Sequence, residues 1–170
     1  QSGAVVTATV EWANARGIGF SGIVSLGDMA DVDAGELLDW FALDPRTRAI
    51  LLYVESVPDP RRFLSAARAA ARTKPVIVVK AGRHEAGARA AASHTGALAG
   101  SDAVFDAALR RAGLLRVDTL EELFAAANTL AHLRPFEGRR LGILTNGGGV
   151  GILAVDHLAG LGGEPASLSP

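Results

Sequence analysis

The chain has 170 residues, 49% of them hydrophobic and 21% charged, which is enough apolar sequence to bury a core. Its formal net charge of −1 gives no indication of binding to nucleic acid or to an anionic membrane. The absence of cysteine excludes disulfides, thiol catalysis and thiolate metal sites, and we expect a cytoplasmic protein. No apolar run is long enough for a membrane span, and no signal peptide is visible. Because the chain begins at Gln1 rather than Met, we expect an excised piece.

Residues 2–80 alternate between helix and strand signals. Capping residues predict one helix after Ser2, a second after Asp33 and a third after Asp59, which is followed by a proline at the first helical position. Apolar runs that lack alternation are typical of strands covered on both faces. They predict strands over residues 49–54 and 75–80, and a further strand is predicted over 20–26.

The second half of the chain continues this alternation. Ser101 is expected to cap a helix, a short strand follows over 114–117, and Thr119 with Glu122 has the spacing of a capping box for the next helix. Residues 134–138 are typical of a linker. After it the sequence predicts a strand over 141–145, a glycine-rich turn over 146–149 and a helix over about 150–161.

Alternating strands and helices predict an α/β protein with a doubly wound, mostly parallel sheet. In such sheets the ligand binds beyond the carboxyl ends of the strands. The residues that this rule selects are Ser2-Gly3, Gly27-Asp28, Glu55, Lys80 and Asn146-Gly147.

One histidine, His94, lies in a run of small residues, Ser-His-Thr-Gly-Ala-Leu-Ala-Gly-Ser-Asp, over 93–102. The tract before it, 86–92, offers little apolar surface for anchoring, so the loop is a candidate moving part. Neutral imidazole is a good nucleophile toward phosphorus near pH 7. The loop therefore indicates a group carrier, while a surface histidine in a disordered loop is the simpler interpretation.

Two glycine-rich turns each open a helix, at Ser2-Gly3 and at 146–149. Glycine lets a backbone approach a ligand, and helix N-termini present free N–H groups with a partial positive charge. Both turns are candidate phosphate sites, although such glycines also serve simply to make a tight connection. A chain of βα units needs such connections regardless of function.

Charged residues at strand ends form the second group of candidates. Glu55 could accept an imidazole N–H and so fix the ring tautomer, or it could be a solvated carboxylate. Lys80 could attract phosphate, although a solvated lysine is the simpler expectation, and the same alternatives hold for Arg83 and Arg89.

The other histidines are weaker candidates: His132 and His157 lie in predicted amphipathic helices, where a surface or packed role is expected, and His84 lacks the glycine context. No spacing of His, Asp and Glu indicates a metal site. Ser93, His94 and Asp102 are close in sequence, as a hydrolase triad would require in space, but no nucleophile elbow is present.

The ordered motifs of the chain resemble those of NDP-forming acyl-CoA synthetases. The segments are Gln-Ser-Gly-Ala, Gly-Phe-Ser…Gly-Asp, Asp-Pro-Arg-Thr-Arg-Ala-Ile, Val-Glu, Lys-Pro-Val-Ile-Val-Val-Lys, Ser-His-Thr-Gly-Ala-Leu-Ala-Gly-Ser-Asp and Thr-Asn-Gly-Gly-Gly. ADP-forming acetate–CoA ligase is the nearest type, and succinyl-CoA synthetase is a relative. The resemblance covers nearly the whole chain and implies a flavodoxin-like fold.

The resemblance also implies roles. His94 would be the phosphohistidine, and Glu55 the carboxylate that holds it near the CoA-side site. Ser2 and Gly3 would begin one phosphate-facing helix, and Asn146, Gly147 and Gly148 the other. In that family acyl-CoA and phosphate give acyl phosphate and CoA, and the histidine carries the phosphoryl group to a nucleoside diphosphate.

The resemblance implies that CoA, ADP or ATP, phosphate and Mg²⁺ act in the full-length enzyme, through a CoA-binding domain and an ATP-grasp domain or subunit that this chain lacks. An oligomer is expected, and the piece alone should not turn over. Residues 1–134 would form a ligase flavodoxin domain without its first strand, and 138–170 the opening βαβ of a second one. We expect the strand 141–145 to fill the vacant sheet position, within one chain or by exchange between two.

Two other functions remain open from the sequence. Related regions are fused to protein lysine acetyltransferases as regulatory domains, although retention of His94 counts against that role. A flavodoxin-like FMN binder fits the fold class but lacks an obvious aromatic pair to enclose a flavin. The acyl substrate and the preference for ADP or GDP are not readable from this chain.

Overall fold

A computed structural model describes residues 2–89, 101–132 and 138–167. By its internal contacts the chain divides into two units, Gln1–His132 and Leu133–Pro170. The expectation that these correspond to two ligase domains stays a prediction. Within the described residues, no helix has the length and apolar character needed to cross a bilayer.

The helices of the first unit begin where local capping signals predict. Helix α1 spans Gly3–Asn14, and the Ser2 hydroxyl accepts from the Val5 N–H at 3.4 Å. Helix α2 spans Ala34–Leu43 behind a reciprocal capping box formed by Asp33 and Glu36. Helix α3 spans Pro60–Ala71, and the Asp59 carboxylate accepts from two N–H groups of its first turn. These caps satisfy backbone donors that helix ends leave without intrahelical partners.

Among the described residues, three parallel strands form the sheet of the first unit. Strand β1 (Ile50–Val54) pairs with β2 (Val76–Lys80), which pairs in turn with β3 (Leu115–Val117), in the order β1-β2-β3. Helix α3 connects β1 to β2, and α4 (Asp102–Ala112) lies on the connection from β2 to β3, in which residues 85–89 are also helical. Helix α5 (Leu120–His132) follows β3. Parallel strands joined through helices define the α/β, flavodoxin-like class that the sequence predicts.

The two faces of this sheet bury different helices. One face packs Ile50, Val54, Val76 and Val78 against residues of α2, α3 and α4, including Leu38, Phe63 and Leu109. The opposite face packs Ile77 and Val79 against Leu123 and its neighbours on α5. Trp12 of α1 stacks on Phe124 of α5 with ring centroids 4.2 Å apart, so α1 lies on the same side as α5. Successive strand residues point to opposite faces, which explains why these strands are apolar without alternation.

Two details of the first unit differ from the predictions. Residues 20–26 do not form a strand, and Phe20, Ile23 and Val24 are 37%, 42% and 46% exposed. A strand exists only where a neighbour supplies ladder hydrogen bonds, and among the described residues no strand pairs with residues 20–26. Ser101 precedes α4 as predicted, but its side chain makes no capping hydrogen bond.

The second unit is a small βαβ element. Strand β4 (Arg140–Leu141) pairs in parallel with β5 (Glu164–Pro165), and helix α6 (Gly148–Gly160) connects them. The predicted strand over 141–145 is therefore wrong beyond Leu141, because β5 offers only two residues for pairing. The described residues place β4 in its own two-stranded sheet, so strand filling within one chain is not observed. Exchange between two chains stays a prediction.

Candidate active site

The carboxyl edge of the three-stranded sheet brings two predicted site residues together. Glu55 directly follows β1, and Lys80 is the last residue of β2. The parallel register pairs Val54 with Lys80, so both residues lie at the same edge. The Lys80 ammonium donates a hydrogen bond to the backbone oxygen of Glu55 at 2.8 Å. This contact joins the two strand ends at the position where doubly wound folds bind ligands.

From the sequence alone, a solvated Lys80 is the simpler expectation. The structure shows a different environment for Lys80. Its side chain is half-buried, and its ammonium also donates to the backbone oxygen of Ala81 at 2.5 Å. Burial is the main cause that lowers its pKa, and Arg116 adds to this effect, while the charges of Asp102 and Glu55 oppose it. Lys80 thus uses its charge to satisfy backbone carbonyls at the strand ends.

A second set of charges surrounds Phe105 on α4. The Arg116 guanidinium, only 10% exposed, bonds Asp102 at 2.7 Å and lies 3.5 Å from Asp106. Lys80 and Arg116 both lie against the Phe105 ring, at 5.6 and 6.0 Å from its centroid. Burial lowers the pKa of Arg116, but the hydrogen bond and charge of Asp102, with the other carboxylates, outweigh it and leave the pKa raised.

Sequence reasoning does not identify Arg116 as part of this edge. The available signal is an arginine inside a short predicted strand, since a charged residue in a buried strand needs a partner. Its partner, Asp102, begins α4 and is therefore the first described residue of a helix after the histidine segment. This ion pair connects the start of α4 to β3.

Arg83 and Arg89 both form ion pairs on the amino side of the histidine segment. Arg83 pairs with Asp118, just beyond β3, at 2.5 Å, and its buried Nε atom has no hydrogen-bond partner among the described residues. Arg89 pairs with Glu85 one helical turn away on the solvent-exposed surface. His94 itself, with Ser93 and the rest of 90–100, lies outside the described residues. Its role as phosphohistidine stays a prediction.

The two predicted phosphate turns have different local structures. Ser2 caps α1, and its backbone oxygen also accepts from Val6, so its described contacts stay within that helix. In the second unit Gly147 is the N-cap of α6 and makes no side-chain capping bond. Sequence reasoning misses Thr145, whose hydroxyl accepts from the Gly147 N–H at 3.0 Å and shapes the turn. The turn before α6 is therefore shaped by the Thr145 side chain, and among the described residues no side chain caps the helix itself.

The glycines of these turns are not required by packing inside the protein. A Cβ atom added at Gly3 or at Gly148 would meet nothing within 4 Å, and neither residue has a positive φ. Glycine at the start of a helix with open space beside it fits a close approach by a ligand. Gly27, by contrast, has a φ of 55° and belongs to a turn beside Asp28.

A Gly148→Ala substitution should separate folding from function. The free energy of unfolding should stay unchanged or rise by up to about 1 kcal/mol, because glycine in a helix costs that much relative to alanine. Phosphoryl transfer in the complete enzyme should fall if phosphate approaches this backbone. Urea unfolding and a phosphorylation assay measure the two effects. Gly160→Ala, at the other end of α6 and also in open space, is the matched control and should leave transfer unchanged. A variant at Gly148 with normal transfer would contradict the phosphate assignment.

Two of the remaining histidines, His132 and His157, lie in helices, as the sequence predicts. In α5 the His132 Nδ1 atom lies 2.7 Å from the backbone oxygen of Asn128, and His157 lies on α6. Asp102, the acid of the conceivable hydrolase triad, is occupied by Arg116. In the part of the chain that the structure describes, no group of three or more His, Cys, Asp or Glu residues could hold a metal ion.

These features define a flavodoxin-like α/β domain with a charged candidate site at the carboxyl edge of its sheet. The chain belongs to the family of succinyl-CoA ligase-like flavodoxin domains, whose model matches residues 1–130. The resemblance that the sequence motifs indicate is thereby confirmed.

The relatives of the chain are CoA ligases. It is 49% identical over 156 residues to the alpha subunit of ADP-forming acetate–CoA ligase I of Pyrococcus furiosus, covering 92% of this chain and 34% of that subunit. It is 46% identical to ADP-forming acetate–CoA ligase I of Archaeoglobus fulgidus, covering 92% of this chain and 22% of that protein. The chain thus spans about a third or less of the length of these relatives.

A solved structure shows the same fold. The acetyl-coenzyme A synthetase 1 of Ca. Korarchaeum cryptofilum, in complex with phosphate and ADP, superposes with a TM-score of 0.92 at 42% identity. The match covers 99% of this chain and 37% of that one. None of these relatives supports the acetyltransferase alternative.

Proposed function

We propose that this chain is the phosphoryl-carrying part of an ADP-forming acyl-CoA synthetase, with His94 as the carrier. The observation that carries the proposal is topological. His94 lies on the connection from Lys80, at the carboxyl end of β2, to Asp102, at the start of α4. Glu55 lies at the carboxyl end of the adjacent strand. The connection that contains His94 therefore begins at the edge of the sheet where Glu55 lies.

The proposed reaction has three steps. A phosphate oxygen attacks the thioester carbonyl of acyl-CoA, the carbon–sulfur bond breaks, and CoA leaves as its thiolate. A ring nitrogen of His94 attacks phosphorus in the acyl phosphate, and the carboxylate leaves. An oxygen of ADP then attacks the phosphohistidine, which forms ATP and returns neutral imidazole.

Glu55 and the helix starts have defined tasks in this proposal. A carboxylate that accepts the second ring N–H of His94 fixes the nucleophilic tautomer and stabilises the positive charge that develops on the ring. The N-termini at Ser2-Gly3 and at Asn146, Gly147 and Gly148 each offer backbone N–H groups and a positive helix end to a phosphoryl group.

Complete turnover is proposed to need further parts of the enzyme. We assign CoA binding to a CoA-binding domain, and ADP and Mg²⁺ to an ATP-grasp domain or subunit. The choice of ADP follows the ADP-forming ligases among the relatives. The chain by itself is proposed to be inactive, and the complete enzyme to act as an oligomer in the cytoplasm.

The test is isotope transfer in the complete enzyme. Labelled ATP, or acyl-CoA with labelled phosphate, should place acid-labile phosphate on His94, and His94→Asn should abolish it because an amide cannot replace the imidazole nucleophile. His84→Asn is the matched control, since His84 lies on the same connection before the loop and should keep full labelling. Absence of label on the unmodified enzyme, or label that persists in His94→Asn, would refute the proposed function.

A further inference from the structure

We propose that Lys80 is a positioning residue for this phosphoryl transfer, acting by holding the main chain of Glu55 in place. The inference rests on the proposed function of His94 and Glu55. It assigns Lys80 a task different from binding phosphate, and its evidence is the geometry at the ends of β1 and β2.

Lys80 adds a side-chain link between two strand ends that a backbone bond also joins. The backbone bond runs from the Ala81 N–H to the Val54 oxygen, at 2.9 Å. The next carbonyl on β1's side belongs to Glu55, and the Lys80 ammonium donates to it at 2.8 Å. The same ammonium donates to the Ala81 oxygen. One side chain thus bridges the segment that carries Glu55 and the segment that leads to His94.

The surroundings hold the Lys80 ammonium in one place, although burial lowers its pKa. The side chain is half-buried, and the amino group lies 5.6 Å from the centroid of Phe105. Asp102 on α4 and Glu55 after β1 supply negative charge, while Arg116 on β3 supplies positive charge. A charge-assisted bond to a carbonyl is stronger than a neutral one, so the main chain at Glu55 is held more firmly than water would hold it.

Lys74 provides an internal comparison. Its ammonium also donates to two backbone oxygens, those of Phe41 at 2.7 Å and Asp44 at 2.5 Å. Lys74 precedes β2, so it lies at the amino edge of the sheet, away from Glu55. The two lysines therefore make the same kind of contact at opposite ends of one strand. Replacing either lysine should lower stability, whereas only the replacement of Lys80 should lower phosphoryl transfer.

The experiment compares Lys80→Met with Lys74→Met in the complete enzyme. Both keep the apolar stem and remove the ammonium. Lys80→Met should lower kcat for His94 phosphorylation from acyl-CoA and phosphate by about 100-fold, the scale of a small misplacement of a catalytic group, with KM for acyl-CoA unchanged. Lys74→Met should leave kcat unchanged. The thermal midpoint of each variant shows how much stability it has lost.

Two further variants keep the test decisive. Lys80→Arg preserves the charge and should recover part of kcat, and Lys80→Gln, a neutral donor, should recover less. Lys80→Gln also replaces Lys80→Met in the comparison if the latter does not fold. Equal kcat values for the Lys80 and Lys74 variants, or a loss of kcat that accompanies unfolding alone, would overturn the inference. An unmodified enzyme that takes no label on His94 would instead refute the proposed function.

Discussion

Ile77→Ala is expected to remove about 2–5 kcal/mol from the free energy of unfolding, the usual cost of truncating a buried isoleucine. Ile77 is fully buried in the central strand β2 and packs toward Leu123 of α5. Truncation leaves a cavity between the sheet and α5. The strands on both sides of β2 hold the backbone in place, so the cavity cannot close completely. Because a domain of this size is stabilised by only about 5–15 kcal/mol, the variant should lose a large share of its stability.

The control for this prediction is Leu115→Ala. Leu115 is the register partner of Ile77 on β3, but it is 43% exposed, so its truncation opens no closed cavity. Urea unfolding of the purified protein compares the two. If both variants lost a similar amount of unfolding free energy, burial on this face of the sheet would not control stability.

Local signals explain why most of the first unit is predictable from sequence. The caps at Ser2, Asp33 and Asp59 are short-range hydrogen bonds, so the residues that make them are adjacent in sequence to the helices they begin. The strands β1 and β2 are buried on both faces and show it as continuous apolar runs. Both kinds of signal depend on neighbours in the sequence.

The errors occur where a partner strand decides the outcome. Residues 20–26 have strand composition, but no described neighbour supplies their hydrogen bonds, and they stay outside the sheet. Strand β4 ends at Leu141 for a related reason, because β5 is only two residues long. Composition measures how well side chains suit a pleated surface, whereas pairing requires a second segment at the right distance.

The candidate site, like the fold, was predictable from the sequence only in part. The rule for parallel sheets selects Glu55 and Lys80 from their places at strand ends, and the structure brings both to one edge. The same rule does not reveal that the Lys80 ammonium donates to the backbone oxygen of Glu55. That hydrogen bond depends on the course of the Lys80 side chain beside the Phe105 ring. Arg116 and its bond to Asp102 are missed because the two residues are joined only through the fold.

Glu55→Gln should slow His94 phosphorylation from acyl-CoA and phosphate by about 100-fold or more, within the range seen when an orienting carboxylate becomes an amide. Glutamine keeps the shape of the side chain but loses the charge that would stabilise the imidazolium. Because the resemblance places Glu55 at the CoA-side site, labelling of His94 from ATP should be affected much less. Single-turnover labelling from each direction measures the asymmetry.

Glu85→Gln is the matched control for this substitution. Glu85 lies on the same amino side of the histidine segment, is 87% exposed and pairs only with Arg89 among the ion pairs described for it. It should leave labelling unchanged in both directions, because a solvated ion pair contributes little. If Glu55→Gln slowed both directions equally, Glu55 would act on the loop or the fold rather than at one site. If it slowed neither, the carboxylate would have no part in phosphoryl transfer, whatever the role of His94.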